Sequence, residues 1–395
     1  MNIKSLLIVS VLAAGFGMAG YFASNAGSGN AAAAPRAGEL VLKGLQGRIN
    51  DVSEMLIKNV DGEFHVKRQG EDWVLVEKDG YPVGVGNVRQ TLLALEGLKT
   101  IEEKTSNPNH YSQLGVQSVG ADPTADNQPT QIDLLAVGGE KIAGLIIGKP
   151  RSGGQGGTFY VRRPTEVASW LVEGDNPELP KTGEAWLDKK VIEIKRDVVK
   201  AVKTVHADGE ELTVSKGATD ANFVVHNMPE GRELTYAASA DSLAGGLQYM
   251  NFEDVMKAST FEAPETPVSI VNFWTKDGMR VMVKCWEKDE KTYAALEASY
   301  DASAPSLTLG PLPMPAEGEA VAEATPRSEE EMAPEIKALN ARLSPWVFQL
   351  PSYSKANLTK RLDGLLKPLP EPEEPAAEEA ADTDSPIDID SLGGE

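Results

Sequence analysis

Four histidines, one cysteine and a glycine-rich loop are the residues whose chemistry could make this chain an enzyme or a metal protein. His65, His110, His206 and His226 lie far apart in sequence. None stands in an H-x-x-x-H, H-E-x-x-H or Cys/His pattern that would present neighbouring lone pairs to a zinc ion. The spacing therefore predicts no metal site and strand or surface histidines instead. Cys285 is the only cysteine, so no intramolecular disulfide can form, and its setting in Val281-Met282-Val283-Lys284-Cys285-Trp286 reads as a strand with a buried, inert thiol.

The loop Gly148-Lys149-Pro150-Arg151-Ser152-Gly153-Gly154-Gln155-Gly156-Gly157 offers glycines and cations after a strand, as phosphate cradles do. It lacks the order G-x-x-x-x-G-K-[ST] and runs on into strand-like Thr158 to Val161, which supplies no helix N-terminus for an anion. A hairpin loop is the expectation. Arg162-Arg163, just after that strand, reads as an exposed strand end. No G-x-S-x-G elbow, Cys/His pair or recognisable carboxylate pair occurs, so no catalytic residue, cofactor or metal ligand is assigned and a non-catalytic role is expected.

Positioning elements recur along the chain. Gly80 to Glu103 aligns without a gap on Gly231 to Asp254 at an offset of 151 residues. Upstream of each lies a turn, Asp61-Gly62-Glu63 or Asp208-Gly209-Glu210, flanked by alternating apolar residues. Asp-Gly favours positive φ and the period of two gives each strand one core face, so each segment opens on a β-hairpin. Asn87, with Gln90 three residues on, predicts a helix start, and Val88, Leu92 and Leu95 follow at helical spacing. The counterpart helix is expected near Ser239. Gly138-Gly139 and Asp277-Gly278 then divide two further hairpins, 132–147 and 268–286. After the first come Thr158 to Val161 and a short helix pattern at Val167, Trp170 and Leu171. After the second come an acidic insertion, Trp346-Val347-Phe348, and a helix opening at Asn357 with Leu358, Leu362 and Leu365.

The fold class this predicts is α+β: a tandem duplication of β-hairpin/helix modules, antiparallel sheets with helices on one face, and an N-terminal transmembrane or signal helix. The expected segments are 1–23 (signal anchor or signal peptide), 24–44 (flexible linker), 45–180 (first repeat), 185–367 (second repeat, with a disordered acidic insertion at about 304–335) and 368–395 (disordered acidic tail). The anchor rests on Leu6, Leu7, Ile8, Val9, Val11, Leu12, Phe16, Met18, Tyr21 and Phe22, an uncharged run following Lys4. About 18 apolar residues reach the short end of what spans a hydrocarbon core of ~30 Å, and exceed most signal-peptide cores. Small residues from Ser24 to Ala34 keep cleavage open as the alternative.

The net charge of −21 over 395 residues is concentrated in two places. Residues 371–395 hold ten acidic and no basic residues, and 317–335 hold seven acidic residues and Arg327, leaving the remainder near −5. No basic face with interleaved aromatics is left to bind nucleic acid.

The Asp61-Gly62-Glu63 hairpin with Trp73, the stretch Tyr81 to Leu98, Ile146-Ile147-Gly148 with Thr158 to Arg162, and Trp186-Leu187 together resemble the family known as domain of unknown function 4340. The resemblance implies an N-terminally anchored bacterial envelope protein. It also implies an accessory role beside ABC-type transport components related to gliding-motility auxiliary proteins, with the inner membrane and transporter components as partners. No catalytic or binding residue carries over, because the family has no established activity. The alternative is a periplasmic module binding a polysaccharide, peptide or lipid, with an enzyme third.

Overall fold

The computed structural model describes residues 37–151, 157–177, 179–217, 220–305 and 327–368. The anchor residues Leu6 to Phe22 and the acidic tail lie outside them. Among the described residues no helix is long and apolar enough to cross a membrane. The chain divides into two compact units, one through Lys189 and one from Lys190, and in both antiparallel strands outweigh helices.

In the first unit, β1 (Val52–Asn59), β2 (Gly62–Gln69), β3 (Asp72–Leu75) and β4 (Tyr81–Pro82) lead into α1 (Val85–Gly97). Then follow β5 (Lys99–Thr105), the single turn α2 (Tyr111–Leu114), β6 (Thr130–Ala136), β7 (Lys141–Pro150), β8 (Thr158–Arg162) and β9 (Ser169–Glu173). The nine strands form one sheet in the order β4-β3-β2-β1-β6-β7-β8-β9-β5. The Asp61-Gly62 turn forms as expected, because the buried Asn59 side chain accepts hydrogen bonds from the N–H groups of both residues at 2.8 and 3.1 Å. Met55, Ile57, Val66, Leu75, Leu95, Ile132, Leu145 and Trp186 are wholly buried and form the core.

The second unit comprises β10 (Lys190–Ile192), β11 (Val199–His206), β12 (Glu211–Ser215), β13 (Val224–Val225), the turn α3 (Asp241–Ala244), β14 (Met250–Asn251) and β15 (Asp254–Lys257). These precede β16 (Ser269–Thr275), β17 (Met279–Lys288), β18 (Lys291–Tyr300), α4 (Glu329–Leu343), β19 (Trp346–Leu350) and α5 (Ser352–Leu358). Its main sheet has the order β13-β12-β11-β16-β17-β18-β19-β15, while β10 pairs with β14. With β4 set aside, this order corresponds position for position to that of the first unit.

Both units also close in the same way. A 3-10 helix, Gly183–Trp186 or Leu362–Leu365, is followed by a bridge, Val83 to Leu187 or Leu234 to Leu366. Gly84 N–H donates to Trp186 O, and Thr235 N–H to Leu365 O, each at 2.9 Å. Val83 and Leu234, like Gly84 and Thr235, are separated by the 151-residue offset of the sequence alignment.

Several expectations are corrected. Helix α1 starts at Val85 behind Gly84, not at Asn87; Gly84 is fixed by its bond to Trp186, and Asn87 N–H then donates to Gly84 O at 2.9 Å inside the first turn. The residues Trp170 and Leu171 form strand β9, not a helix; β9 pairs with β8 and β5, and the burial of Trp170, Leu171 and Val172 in succession means that both its faces are covered there, where a one-sided strand would alternate. The linker ends earlier than residue 44, since Val41 and Leu42 are buried and Leu40 bridges to Lys99. Residues 183–188 complete the first unit, through the Trp186 and Leu187 contacts, and do not begin the second. The last helix ends at Leu358 and does not open at Asn357.

The acidic insertion needs the largest correction. Its final residues begin α4, which a capping box starts: Ser328 Oγ accepts from Glu331 N–H at 3.3 Å, and the Glu331 carboxylate accepts from Ser328 N–H at 2.8 Å. Met332 and Leu343 are buried, with Ile336 and Leu339 half-buried on the same stripe. The insertion also follows β18, a strand that sequence reading missed. The β17–β18 hairpin turns at Asp289-Glu290, both at positive φ (52° and 62°), without the Gly or Asn that usually announces such a turn.

Candidate functional site

The histidines do not converge. His65 places Nδ1 2.8 Å from Glu54 Oε1 on the partly exposed β1–β2 surface, and His110 ends an exposed 3-10 turn. The buried His206 has Nε2 3.2 Å from Lys360 O. Among the described residues no group of three or more His, Cys, Asp or Glu could hold a metal ion.

His226 has a partner that the sequence did not suggest, because β12 and β13 bring its Nε2 to 2.7 Å from Ser215 Oγ. Burial holds the His226 pKa below the ordinary imidazole value, and the Ser215 hydroxyl and the ring share one hydrogen bond whose donor is set by the ring's tautomer. Nucleophilic catalysis further requires a group that orients the far ring nitrogen and donors for an oxyanion. No described hydrogen bond provides the first. Ser215, 5% exposed between two strands, is poorly placed for attack.

Gly148 has a structural reason of its own. A Cβ there would lie 2.3 Å from Leu114 O and 2.9 Å from Gly115 O, so glycine is needed because the α2 segment passes directly over β7. The same segment explains Arg162, which is buried and not an exposed strand end. Its Nε donates to Val116 O at 2.8 Å, its Nη1 to Glu166 O at 3.1 Å, and its guanidinium lies 4.7 Å from the Tyr111 ring centre. Burial draws its pKa below the usual arginine range. Arg162 thereby ties the 111–118 segment and the 163–168 turn to the sheet, while Arg163 pairs with Glu166 at 2.7 Å. Cys285 is buried, and desolvation pushes its thiol up to about 12.

Among the described residues, a surface shaped for recognition surrounds α1. Its inner stripe, Val88, Leu92 and Leu95, fills the core, whereas Val85, Arg89 and Leu93 recur at four-residue spacing on the outer side, with Val85 53% and Leu93 50% exposed. This ridge stands between two clefts. One, of about 460 Å³, has an apolar floor of Val52, Trp73, Val88 and Leu92, with Arg68, Glu71 and Arg89 among its polar residues. The other, of about 470 Å³, runs between the ridge and Asp175-Asn176. Both volumes fall within the range typical of ligand pockets, about 300–1,000 Å³. Apolar residues with a few polar groups suit binding.

Trp73, on the floor of the first cleft, is also where the similarity to known proteins begins. Residues 73–267 match the family model described as Domain of unknown function (DUF4340). The match runs from β3 to the residue but one before β16, so it includes all of α1 and the ridge. It agrees with the resemblance carried by Trp73, Tyr81 to Leu98, Thr158 to Arg162 and Trp186-Leu187. Neither a curated protein nor a solved structure matches the chain.

Sequence reading missed the ridge because it weighed Val88, Leu92 and Leu95 as a core face and left the opposite face unexplored. The signal that could have found it is an apolar residue at each end of a four-residue repeat, Val85 and Leu93, on the polar side of an amphipathic helix.

Proposed function

We propose that this protein is a non-catalytic, membrane-tethered periplasmic accessory or scaffold protein of an ABC-type transport system, and that the outer ridge of α1 is the face that receives its partner. The observation that carries the binding role is the ridge itself: Val85 and Leu93 stay half exposed on a helix whose other side already fills the core. A solvent-facing position is normally polar, and two large apolar side chains bracketing an arginine beside two clefts fit a contact surface.

The tether is supported by the uncharged run containing Leu6, Leu7, Ile8, Val9, Val11, Leu12, Phe16, Met18, Tyr21 and Phe22, and the transport association by the family resemblance alone. An anchor would confine the soluble units to a thin layer beside the membrane, raising their effective concentration near a membrane partner. We further propose that the two units arose by tandem duplication. The shared strand order and the pair of closing bridges 151 residues apart support this reading.

A photo-crosslinking amino acid placed at Leu93 in the full chain, with Val137 as an exposed control, tests the partner reading in intact cells. The expected product is an adduct with an envelope transport component from position 93 and not from 137. Adducts absent from 93, or equal from both positions, would remove the ridge as the partner face. The 460 Å³ cleft favours a second reading, a periplasmic module for a polysaccharide, peptide or lipid; its sign would be a small molecule co-purifying with the native chain and lost on Trp73→Ala.

A further inference from the structure

Arg68 and Arg89 line the same apolar cleft, and among the described residues neither has a carboxylate partner. Arg68 Nε donates only to Gly70 O, at 3.3 Å. The surrounding protein is acidic overall and pairs most of its other surface arginines: Arg48, Arg163, Arg232, Arg280, Arg327 and Arg361 all meet carboxylates. Two arginines without an ion pair, against the single carboxylate of Glu71 on the same cleft, leave its lining net positive and offer planar donors to an anion.

The shape beside them constrains what that anion belongs to. A small amphiphile in this cleft, which Val85 and Leu93 also line, would occupy one side of α1 only. Leu93 and Arg89 also border the cleft on the other side of α1, where Asp175 adds a negative group. An occupant that covers the ridge and reaches both sides is a chain, with its acidic group above Arg89 and away from Asp175.

We infer that the α1 ridge and its arginine-lined cleft bind an acidic–apolar segment of a partner polypeptide, one whose Asp or Glu stands beside a large apolar side chain. The apolar residue enters the cleft over Val88 and Leu92, and the carboxylate takes the guanidinium groups of Arg89 and Arg68. This inference rests on the reading of α1 as the partner face and adds the chemistry of what is recognised.

The test is selection of a random dodecapeptide library displayed on phage against the full chain, followed by fluorescence anisotropy of the selected peptides. Peptides placing Asp or Glu next to Leu, Phe or Trp are expected. They should bind Arg89→Glu or Leu93→Ser at least tenfold more weakly, with Arg89→Lys between, and more weakly as salt rises. Both positions are exposed, so unchanged melting of the variants separates loss of binding from loss of fold. Selected peptides without acidic residues, no enrichment, or equal binding to the variants would overturn the inference. So would Leu93-dependent flotation with phosphatidylglycerol vesicles, or a Leu93-dependent dimer in sedimentation, which would give the ridge to a lipid surface or a second copy. A crosslink from position 93 to an envelope protein, with no acidic–apolar peptide selected, would refute this inference and leave the partner reading standing. Peptide selection as expected with no crosslink in cells would overturn the partner reading, and with it the inference that rests on it.

Discussion

The side chain of Asn340 takes both backbone groups of Ala298: its Oδ1 accepts from Ala298 N–H and its Nδ2 donates to Ala298 O, each at 2.7 Å. Strand β19 pairs with β18 only at Thr292, Tyr293 and Ala294. Farther along β18, the carboxamide of α4 takes the place that a neighbouring strand would fill, leaving Ala298 no open edge.

Replacing Asn340 with Ala should therefore cost about 1–3 kcal/mol, since both backbone groups of Ala298 lose their partner. Denaturant unfolding measures the loss, and hydrogen exchange should locate it at 295–300. Asn340→Asp keeps the acceptor and loses the donor, so it should fall between; a neutral Asn340→Ala would show that water substitutes for the amide.

Gly148 and Gly86 should respond to alanine in opposite directions. At Gly148 the new Cβ meets the Leu114 carbonyl at 2.3 Å, an overpacking that costs about 1–3 kcal/mol. At Gly86, inside α1, nothing lies within 4 Å, and alanine should stabilise by up to about 1 kcal/mol through helix propensity. Melting of the two variants beside the parent protein checks both signs.

Cys285 should resist iodoacetamide in the native protein and react once the chain is unfolded, because the folded thiol titrates only near about 12. The pKa is raised on folding, so the unfolded chain loses its proton first. Stability should fall as pH rises above the ordinary thiol value of ~8.5, and Cys285→Ala should lack that component. Native labelling at pH 8 at the rate of a free thiol would contradict the burial.

His226 carries the opposite sign. Its folded pKa is depressed, so below the ordinary value of ~6.5 the unfolded chain gains a proton that the folded chain resists. The stabilising effect is present above that pH and is lost as pH falls through the imidazole range toward the lowered folded value. Urea unfolding from pH 7.5 to 5 should show a steeper decline for the parent than for His226→Gln, and parallel declines would refute the assignment.

Arg162→Met should destabilise the first unit by about 2–4 kcal/mol, because several acceptors, Val116 O and Glu166 O among them, lose a charged donor at once. Proteolysis should then open at 111–118 and 163–168, and cleavage elsewhere first would place the role of Arg162 differently.

Local chemistry makes much of this protein legible in its sequence. Asp61-Gly62, Gly138-Gly139 and Asp277-Gly278 mark their turns because positive φ is a property of single residues. Alternating residues such as Met55, Ile57, Phe64 and Val66 mark strands with one core face, and the 151-residue offset falls on residues that the fold places at equivalent bridges. What stays hidden is whatever depends on a neighbour distant in sequence. Trp170 and Leu171 become strand because β5 and β8 enclose them. The α4 helix has a capping box and an apolar stripe in its sequence, Ser328, Glu331, Met332, Ile336, Leu339 and Leu343, which its acidic composition obscures. Asp289-Glu290 turns without glycine because the long β17–β18 ladder, with ten residues on each strand, compensates two strained residues. The candidate surface belongs to the same class. Val85 and Leu93 are visible as residues, but only the packing of α1 decides that they stay outside, and only the course of β2 to β3 brings Arg68 to the cleft that Arg89 also lines. Periodicity along one helix says which residues share a face; which face remains uncovered is decided by everything that packs against it.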